Sequence, residues 1–375
     1  MFEFLTLKPE SFGLDISDLS LKIVKLKKKG KFLKLASYGK QEIKPGIIEG
    51  GEIKDEESLV KVIKESLNKI KGEKLRTNYV IASLPEKKAF VEVIQMPKMK
   101  EEELKEAVSF EAENHIPLPI EDVYLDFQVV QPFYNHLDHL DILIAALPKR
   151  IIDPYIACFK KAGLCPRALE VESLSIARAL VKNEVSPHPI LLIDFGATKT
   201  NLMVFSGHSL MFTHSASISS RDFTKAIAQE FDITFEEAEE LKIRFGLEKE
   251  YRLKIKDGTE KEIISGRVLR VLDPLLNNLA GEIKKAVDYY QTHIFHEHLP
   301  PNNRGVEKVL LSGGGASLKR LPDFLTSALK MPVEFGNPWV NILKAPLREI
   351  PELSYEKSLS FATALGLGLR GIKEN

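Results

Sequence analysis

One pattern is written twice in this chain, first as Phe12-Gly-Leu-Asp15-Ile-Ser17-Asp18-Leu-Ser20-Leu-Lys22-Ile-Val-Lys-Leu26 and again as Leu191-Leu-Ile-Asp194-Phe-Gly196-Ala-Thr198-Lys-Thr200-Asn-Leu-Met-Val-Phe205. Each copy is typical of an apolar strand that ends in an aspartate, a short turn of small and hydroxyl residues, and a second strand. Backbone N–H groups and hydroxyls in such a turn can bind a phosphate, and the nearby carboxylate can hold a water of a bound Mg²⁺. One copy alone would indicate an ordinary hairpin. Two copies, one opening each half of the chain, predict facing domains that bind one nucleotide between them.

Length and composition set the class of protein. At 375 residues the chain exceeds the size of a single hydrophobic core, so at least two domains are expected. Lys+Arg and Asp+Glu number 53 each, so no overall field attracts nucleic acid or an anionic membrane. Two cysteines give neither a disulfide framework nor a zinc pattern, and the sequence shows no signal peptide and no membrane-spanning apolar run. We therefore expect a cytoplasmic protein that does not bind nucleic acid.

The order of strands and helices repeats along with the two turns. In the first half the hydrophobic periodicity predicts strands over Leu21–Leu26, Lys31–Tyr38 and Asn78–Leu84, and a helix over Asp55–Lys71. In the second half it predicts strands over Ile190–Phe195, Asn201–Phe205 and Leu210–Ile218, and helices over Ser219–Phe231 and Phe235–Phe245. A repeated unit of three strands followed by helix predicts two α/β domains of similar topology.

A different block, bracketed by Pro85 and Pro148, separates the two units. The block predicts, in order, a strand, a helix and two strands over Lys88–Gln95, Glu101–His115, Tyr124–Gln131 and Asp141–Leu147. A β-α-β-β segment of this length indicates a small inserted domain, after which a helix over Arg150–Ala162 returns to the first domain. Beyond the second unit we expect a hairpin around Asp257-Gly258, a long helical stretch over Val268–His298, either continuous or broken near Pro274, and a helix over Leu318–Leu329.

A third motif follows a predicted strand at Lys308–Leu311 and reads Ser312-Gly313-Gly314-Gly315-Ala-Ser317. Glycines let the backbone approach a ligand closely, and the following helix offers free N–H groups at its start. The motif matches neither the dinucleotide fingerprint nor the P-loop, and by itself it could equally be structural. Beside two Asp turns, it predicts the nucleoside side of a nucleotide site.

Together the three motifs resemble those of the actin-like ATPase superfamily. The resemblance implies ATP and Mg²⁺ as cofactors, with Asp15 and Asp194 nearest the metal. It assigns contacts with the nucleotide to residues of the two turns and the glycine motif, namely Asp15, Ser17, Asp18, Ser20, Lys22, Asp194, Gly196, Ala197, Thr198, Thr200, Gly313, Gly314, Gly315 and Ser317. It also implies that Glu239 and Lys242, three apart on one helix face, contact the base and ribose. The resemblance also implies an acidic residue that positions the attacking water, and it assigns this role to Glu172, with Glu170 as the alternative.

The first turn departs from the superfamily pattern at Ser17, where glycine is usual, and at Asp18, where a small hydroxyl residue is usual. A carboxylate aimed at phosphate oxygens would oppose binding, so Asp18 either points outward or joins the metal shell. The helix after the second turn opens with Ser219-Ser220 instead of a glycine pair. We therefore expect ATP binding, with weak or absent turnover.

The inserted block identifies a branch within the superfamily. Ser83-Leu-Pro, Met96-Pro-Lys-Met-Lys and above all Pro117-Leu-Pro-Ile-Glu-Asp-Val-Tyr124-Leu-Asp-Phe-Gln128 closely resemble the PilM family of type IV pilus assembly. The resemblance covers nearly the whole chain and implies an α/β fold of two actin/ribonuclease H-like domains, with a small β-α-β-β domain inserted in the first. The implied bounds are 1–85 and 149–188 for the first domain, 86–148 for the inserted domain, 189–345 for the second domain with a subdomain at about 220–305, and 346–375 for a helix that returns to the first domain.

The same resemblance implies a partner, a PilN-like inner-membrane protein whose N-terminal cytoplasmic tail lies in a groove by the inserted domain. The residues around Ile116–Ile120 are a candidate for part of that groove. Other pilus assembly proteins and a second copy of the chain are further candidate partners, and contact with the membrane is expected only through a partner. Two alternatives carry the same turns: an FtsA-like division protein, and a metabolic kinase, which would need a substrate-side base and larger insertions that we do not find.

Overall fold

The computed structural model describes residues 9–30, 32–131, 138–248, 253–254, 260–261, 264–293, 305–343 and 350–373. These residues form a six-stranded sheet, a five-stranded sheet and a separate three-stranded sheet, all combined with helices. The mixed α/β class expected from the sequence is confirmed.

The secondary structure follows the predicted order along the chain. The strands are, in chain order, β1 Phe12–Ile16, β2 Ser20–Lys29, β3 Phe32–Glu42, β4 Ile48–Glu49, β5 Glu52–Ile53, β6 Lys71–Gly72, β7 Tyr79–Leu84, β8 Phe90–Pro97, β9 Val123–Val130, β10 His139–Pro148, β11 Cys165–Val171, β12 Ser186–Phe195, β13 Thr200–Gly207, β14 Ser209–Ala216, β15 Leu253–Lys254, β16 Glu260–Lys261, β17 Lys308–Ser312 and β18 Val333–Phe335. The helices are α1 Glu56–Asn68, α2 Glu101–Ala112, α3 Lys149–Lys161, α4 Glu172–Leu180, α5 Ser220–Phe231, α6 Phe235–Phe245, α7 Ile264–His293, α8 Leu321–Leu329, α9 Tyr355–Leu359 and α10 Ala362–Lys373.

The six-stranded sheet of the first domain has the order β11-β7-β1-β2-β3-β6. Strands β1 and β2 form the predicted antiparallel hairpin, with Asp15 opposite Lys22, while β1 runs parallel to β7. Apolar side chains of β1 and β2 pack with α1 and α3 on one face of the sheet, and Phe12, Leu14 and Ile63 there are fully buried. This core fixes the end of β1, and with it the first Asp turn.

The five-stranded sheet of the second domain has the order β14-β13-β12-β17-β18. Strand β12 pairs with β13 across the second turn, with Asp194 opposite Asn201. On its other side β12 runs parallel to β17, with Asp194 level with Ser312. Because parallel strands end at the same edge of a sheet, this register places the glycine motif directly beside the second Asp turn.

The block between β7 and α3 forms its own three-stranded sheet in the order β8-β10-β9, with α2 packed on it. Helix α2 ends at Ala112, three residues before the predicted end at His115, because tighter i→i+3 backbone bonds from Asn114 and His115 replace the α-helical pattern. Strand β8 also packs beside β14 of the second domain, and Val93 contacts the core of that domain. The inserted sheet therefore touches both larger domains.

Helix α10 returns the end of the chain to the first domain. It packs against β1, β2, β7 and α4, on the sheet face opposite α1 and α3. The fit depends on glycines: a Cβ at Gly366 would lie 1.9 Å from the carbonyl oxygen of Ser175, and one at Gly13 would lie 2.6 Å from the carbonyl oxygen of Ala364. Small residues therefore bring the backbones of α10, α4 and β1 into direct contact.

Strand β11 was not predicted from the sequence. No sequence pattern indicated a strand between the helix at Arg150–Ala162 and Glu172, yet β11 pairs there in parallel with β7 at the edge of the first sheet. Pro166 and the polar residues around it hide the usual apolar alternation, and the pairing shifts register between Pro166 and Ala168. Glu170 consequently lies on a strand, while Glu172 is the first residue of α4.

Two further predicted helices differ in extent. Helix α1 stops at Asn68 because Lys71–Gly72 pairs with β3, where Gly72 has φ +87° and a Cβ would lie 2.3 Å from the carbonyl oxygen of Ala36. The α-helix expected from Leu318 begins at Leu321, after a 3₁₀ turn at Gly314–Ser317.

Helix α7 is the long helix of the second domain, and it runs for 30 residues through Pro274 without a break. The strands of the predicted hairpin are paired as β15 and β16, but its turn at Asp257-Gly258 lies outside the described residues. Of the helices in the described ranges, none combines the length and the apolar character needed to cross a bilayer.

We predict that Gly366→Ala destabilises the protein while Gly281→Ala does not. The added methyl group at Gly366 meets the Ser175 carbonyl, which should lower the free energy of unfolding by about 3 kcal/mol. Gly281 lies in α7, where a Cβ would have no atom within 4 Å, so alanine there should raise the free energy of unfolding by up to about 1 kcal/mol. Urea denaturation of both variants measures the difference. Equal values would contradict the close packing of α10 on α4.

Candidate functional site

The two Asp turns and the glycine motif meet in a cleft between the two larger domains. Its volume is about 130 Å³. Sites that enclose a drug-sized ligand usually measure about 300 Å³ or more, so the cleft in this structure is smaller than a whole nucleotide requires. Of the predicted residues, those that line the cleft are Asp15, Ser17, Ser20, Lys22, Glu172, Asp194, Gly196, Ala197, Thr198, Gly313 and Gly314.

The first turn is held closed by its serines. The Ser17 N–H donates to the Ser20 carbonyl at 2.9 Å, and the Ser17 hydroxyl lies 3.1 Å from both the Ser20 carbonyl and the Ser20 hydroxyl. The Asp18 carboxylate accepts the N–H groups of Gly50 and Gly51 at 3.1 and 2.9 Å. It does not line this cleft but a small neighbouring pocket, together with Thr198 and Lys199 of the second turn. The choice between an outward Asp18 and one in the metal shell stays a prediction.

Asp15, at the end of β1, is buried and fully engaged. One carboxylate oxygen accepts the Ser83 hydroxyl at 3.0 Å, and the other accepts the Lys22 ammonium at 2.9 Å. Burial alone would lower the pKa of Lys22, but the ion pair with Asp15 raises it above its usual value. Asp15 and Lys22 thus enter the cleft as a neutral pair.

The second turn is ordered by backbone bonds. The Gly196 N–H donates to the Lys199 carbonyl at 2.9 Å, and the first N–H groups of α5, from Ser220 and Arg221, donate to the carbonyls of Gly196 and Ala197. The Thr200 hydroxyl donates to the Ile218 carbonyl at 2.6 Å and is fully buried, so it holds the turn and does not line the cleft.

Helix α5 begins with a capping box. The N–H and the hydroxyl of Ser219 both donate to the Asp222 carboxylate, at 2.9 and 2.6 Å. The serine pair that replaces the usual glycines therefore starts the helix well.

The glycine motif packs directly on the second turn. Gly313 has φ +91°, and a Cβ there would lie 2.6 Å from both Asp194 Oδ1 and the Phe195 carbonyl oxygen. A Cβ at Gly315 would lie 2.6 Å from the Phe195 ring. These glycines are thus required by the contact between β12 and β17, whatever ligand the cleft takes. Gly315 and Ser317 lie outside the cleft lining.

Asp194 is the carboxylate that lacks a partner. Within the described residues nothing donates a hydrogen bond to it, and burial together with the nearby Glu172 raises its pKa from 3.8 to about 7. Partial compensation comes from Lys22 and Lys199. A carboxylate in this state suits a cation, and no cluster of three His, Cys, Asp or Glu side chains in the described ranges could complete a protein-only metal site. The residues therefore fit a Mg²⁺ ion that keeps most of its waters and takes its other ligands from phosphate.

Glu172, the first residue of α4, faces the cleft from the first domain. Its Oε2 atom accepts the Lys199 ammonium at 2.6 Å and the Asn201 amide at 3.0 Å, both from the second domain. The start of α4 has no side-chain cap of its own, and the buried Glu86 carboxylate supplies one by accepting the Ser173 N–H at 3.0 Å. Burial raises the pKa of Glu86 above its usual value.

Glu170, the alternative acid, lies elsewhere. Its carboxylate forms ion pairs with Arg178 at 2.5 Å and Arg370 at 2.7 Å, and it does not line the cleft. These contacts join β11, α4 and α10. Glu170 therefore has a structural partner set, and Glu172 is the one of the two acids that lines the cleft. The role of Glu172 towards an attacking water stays a prediction.

Glu239 and Lys242 share a face of α6, as predicted, and their side chains pair at 2.8 Å. The Lys242 ammonium also donates to the carbonyl and hydroxyl of Ser220 and to the hydroxyl of Thr224. Burial lowers the pKa of Lys242, an effect that Glu239 partly offsets. Lys242 thus ties α6 to α5 in this structure, and its contact with a base or ribose stays a prediction, as do the other nucleotide contacts.

Two charged residues of the cleft were not predicted from the sequence. Lys199 stands inside the second motif but received no role, since its partner Glu172 lies 27 residues away in the chain. Lys40, on β3, lines the cleft near Lys22 and has a pKa lowered by burial and by that neighbouring charge. Lys40 lies beyond the predicted end of this strand at Tyr38, because β3 continues to Glu42.

Comparison with known proteins gives a family match along nearly the whole chain. The family described as type IV pilus assembly protein PilM matches residues 13–372. A solved structure of a PilM-PilN type IV pilus biogenesis complex is 28% identical and superposes with a TM-score of 0.78, covering 98% of this chain and 99% of that one. Neither match is confined to the Asp turns, since both include the inserted domain.

More distant relatives share the fold. MreB5 of Spiroplasma citri bound to AMPPNP is 15% identical with a TM-score of 0.56, over 99% of this chain and 98% of that one. The cell division protein FtsA of Enterococcus faecalis is 24% identical over 51% of this chain, and FtsA of Enterococcus hirae 23% identical over 57%. The chain spans 43% and 48% of the length of these two FtsA proteins. The actin-like fold expected from the sequence is confirmed.

We predict that Asp194→Asn stabilises the nucleotide-free protein at alkaline pH. Between pH 3.8 and about 7 the folded protein binds more protons at Asp194 than the unfolded chain, so its free energy of unfolding falls as pH rises across that interval. The amide removes this ionisation and should raise the free energy of unfolding at pH 8 by on the order of 2 kcal/mol, with little effect near pH 4. Denaturant unfolding at both pH values, with the exposed Asp323→Asn as control, measures it. Parallel pH profiles for wild type and Asp194→Asn would contradict the raised pKa.

Proposed function

Because the chain belongs to the PilM family of type IV pilus assembly proteins, we propose that it is an ATP-binding scaffold that holds the cytoplasmic N-terminal tail of a PilN-like inner-membrane protein. Two features of the molecule support the proposal: the interdomain cleft described above, and a large apolar groove beside the inserted domain. In this proposal the protein works at the cytoplasmic face of the membrane, which it reaches through its partner.

The nucleotide part of the proposal rests on the cleft. The N–H groups and hydroxyls of the two turns would contact the phosphates, and Gly313 and Gly314 would let the backbone approach the nucleoside side. Asp194 carries the argument, because its unpartnered carboxylate is the group that a hydrated Mg²⁺ would relieve. When bound, Mg²⁺ would neutralise phosphate charge. Asp15 would act through Lys22, whose ammonium it orients towards the phosphates.

The partner part of the proposal rests on the groove, which has a volume of about 450 Å³. We call it the tail groove. It lies between the inserted sheet and the first domain, and its apolar lining includes Leu84, Leu125, Ala145, Leu147, Leu169, Val171 and Leu174. A cavity of this size and character is suited to apolar side chains of a bound segment.

The walls of the tail groove include two edge strands. Strand β9 is at the edge of the inserted sheet, and β11 is at the edge of the first domain's sheet. An extended peptide could pair with the free backbone groups of either edge while its alternate side chains enter the groove. A short membrane-protein tail, unstructured before it binds, suits this mode of recognition.

The candidate residues around Ile116–Ile120 occupy a different place. Ile116 is buried in the core of the inserted domain beneath α2, and Leu118 and Ile120 pack against that core. They shape the inserted domain but do not line the tail groove. We therefore propose the tail groove, between the inserted and first domains, as the peptide site.

We predict that Asp194→Asn weakens Mg²⁺-dependent nucleotide binding although it leaves the fold intact. Loss of one charge-assisted contact of this kind should weaken ATP binding about tenfold to a hundredfold in the presence of Mg²⁺. Calorimetric titration with ATP and Mg²⁺ measures the affinity, and Asp323→Asn on α8 serves as the control in the same domain. Equal affinities for wild type and Asp194→Asn would show that the second turn does not hold the metal.

We also predict that Ala145→Trp blocks the partner tail. Ala145 lies on β10 and lines the tail groove, so an indole there would fill the space that the peptide needs. Affinity for a synthetic tail peptide of a PilN-like protein should fall by about tenfold or more, as for loss of a binding hot spot. Phe110→Asp, at a 73% exposed position on α2 of the same inserted domain, should leave it unchanged. Unaltered binding by folded Ala145→Trp, judged by thermal unfolding, would place the peptide elsewhere.

A further inference from the structure

An ion pair spans the cleft between the two domains. Lys199, in the second turn, donates to Glu172 Oε2 at 2.6 Å, and Glu172 opens α4 in the first domain. Both side chains are largely shielded from solvent, with 19% and 6% of their surface exposed. Burial would lower the pKa of Lys199, but the Glu172 carboxylate raises it above its usual value, so the lysine is a full cation.

The same carboxylate oxygen has a second donor. Asn201 Nδ2 lies 3.0 Å from Glu172 Oε2, and the Ser215 hydroxyl donates to Asn201 Oδ1 at 2.7 Å, which orients the amide. Asn201 is fully buried on β13. The oxygen of Glu172 that meets the second domain is thus held by an ammonium and an amide at once.

This arrangement opposes the chemistry expected of Glu172. Hydrolysis forms a bond between a water oxygen and the terminal phosphorus of ATP, and breaks the bond from that phosphorus to the bridging oxygen, whose electron pair leaves with ADP. The water must lose a proton, and the ionised carboxylate of a residue in the position of Glu172 accepts that proton as a general base. The two donors on Oε2 take up acceptor positions that the water would need on that side of the carboxylate.

We propose that Lys199 suppresses ATP hydrolysis in this protein by occupying Glu172, so that the bound nucleotide persists as ATP. The inference rests on the proposed nucleotide binding and names the residue that limits turnover. Lys199 is a positioning residue, because it acts on the reaction through Glu172. A scaffold that keeps its nucleotide holds one cleft geometry for long times, which suits a binding platform better than a cycling enzyme.

Replacing Lys199 with methionine tests the proposal, since methionine keeps a long unbranched side chain but cannot pair with Glu172. We expect kcat for ATP hydrolysis to rise by about ten- to a hundredfold, within the range that general-base catalysis supplies. KM and the ATP dissociation constant should change by less than about threefold, as for an effect on the chemical step alone. Lys199→Arg should stay at the wild-type rate, because the guanidinium can still pair with the carboxylate.

Three further proteins complete the experiment. Lys199→Met/Glu172→Gln should return to the wild-type rate, because the gain requires the freed carboxylate. Lys225→Met, at an exposed lysine of α5 in the same domain, is the matched control and should not differ from wild type. Lys199→Ala is a second replacement should the methionine variant unfold, as judged by its thermal transition. Phosphate release and calorimetric ATP binding are measured for each.

The possible outcomes distinguish a failure of the proposed ATP binding from a failure of the proposed role of Lys199. Failure of wild-type protein to bind ATP would overturn the proposed nucleotide function, and the role of Lys199 with it. ATP binding by folded Lys199→Met or Lys199→Ala without a gain in kcat would overturn the role of Lys199 alone. A large loss of ATP affinity in these variants would also overturn it, since Lys199 would then be a phosphate ligand.

Discussion

Charge compensation in the cleft is the constraint around which the two domains are arranged. Three carboxylates, Asp15, Glu172 and Asp194, share the cleft, and two of them form ion pairs, with Lys22 at 2.9 Å and Lys199 at 2.6 Å. A buried charge is costly unless it is paired, so each pair holds its strand end or helix start in place. The first pair lies within one domain, whereas the second joins the two. The third carboxylate, Asp194, has no ion-pair partner among the described residues, so either a proton or a bound cation must neutralise its charge.

The sequence predicted those parts of the fold that depend on local pattern. The Asp turns, the hairpins around them and the inserted β-α-β-β order all follow from short-range alternation and turn residues, and the structure has them. Strand β11 was not predicted because its extended conformation depends on parallel pairing with β7 and not on a pattern in its own sequence. The end of α1 was likewise set by a distant strand, β3, which captures Lys71–Gly72.

The candidate site shows the same difference between what local sequence pattern predicts and what depends on tertiary contacts. Residue types in the turns could be read from the chain, but their partners could not. Asp18 had two alternatives because Gly50 and Gly51, which bind its carboxylate, stand more than thirty residues away. Lys199 meets Glu172 only once both domains are folded. Sequence spacing therefore predicted which groups enter the cleft, while their hydrogen-bond partners required the tertiary structure.

The return of α10 to the first domain has a consequence for synthesis on the ribosome. The second domain's sheet and the inserted sheet are each made from one continuous stretch of chain, so they can form as soon as that stretch has emerged. The first domain's sheet is different, because one of its faces is covered by residues 362–373, which are translated after both other sheets. Until then β1, β2 and β7 lack the helix that fits against Gly13. The first domain's sheet, whose strands are translated first, is therefore completed last. Until α10 has been translated, one apolar face of this sheet is uncovered, and the nascent chain must avoid aggregating through it.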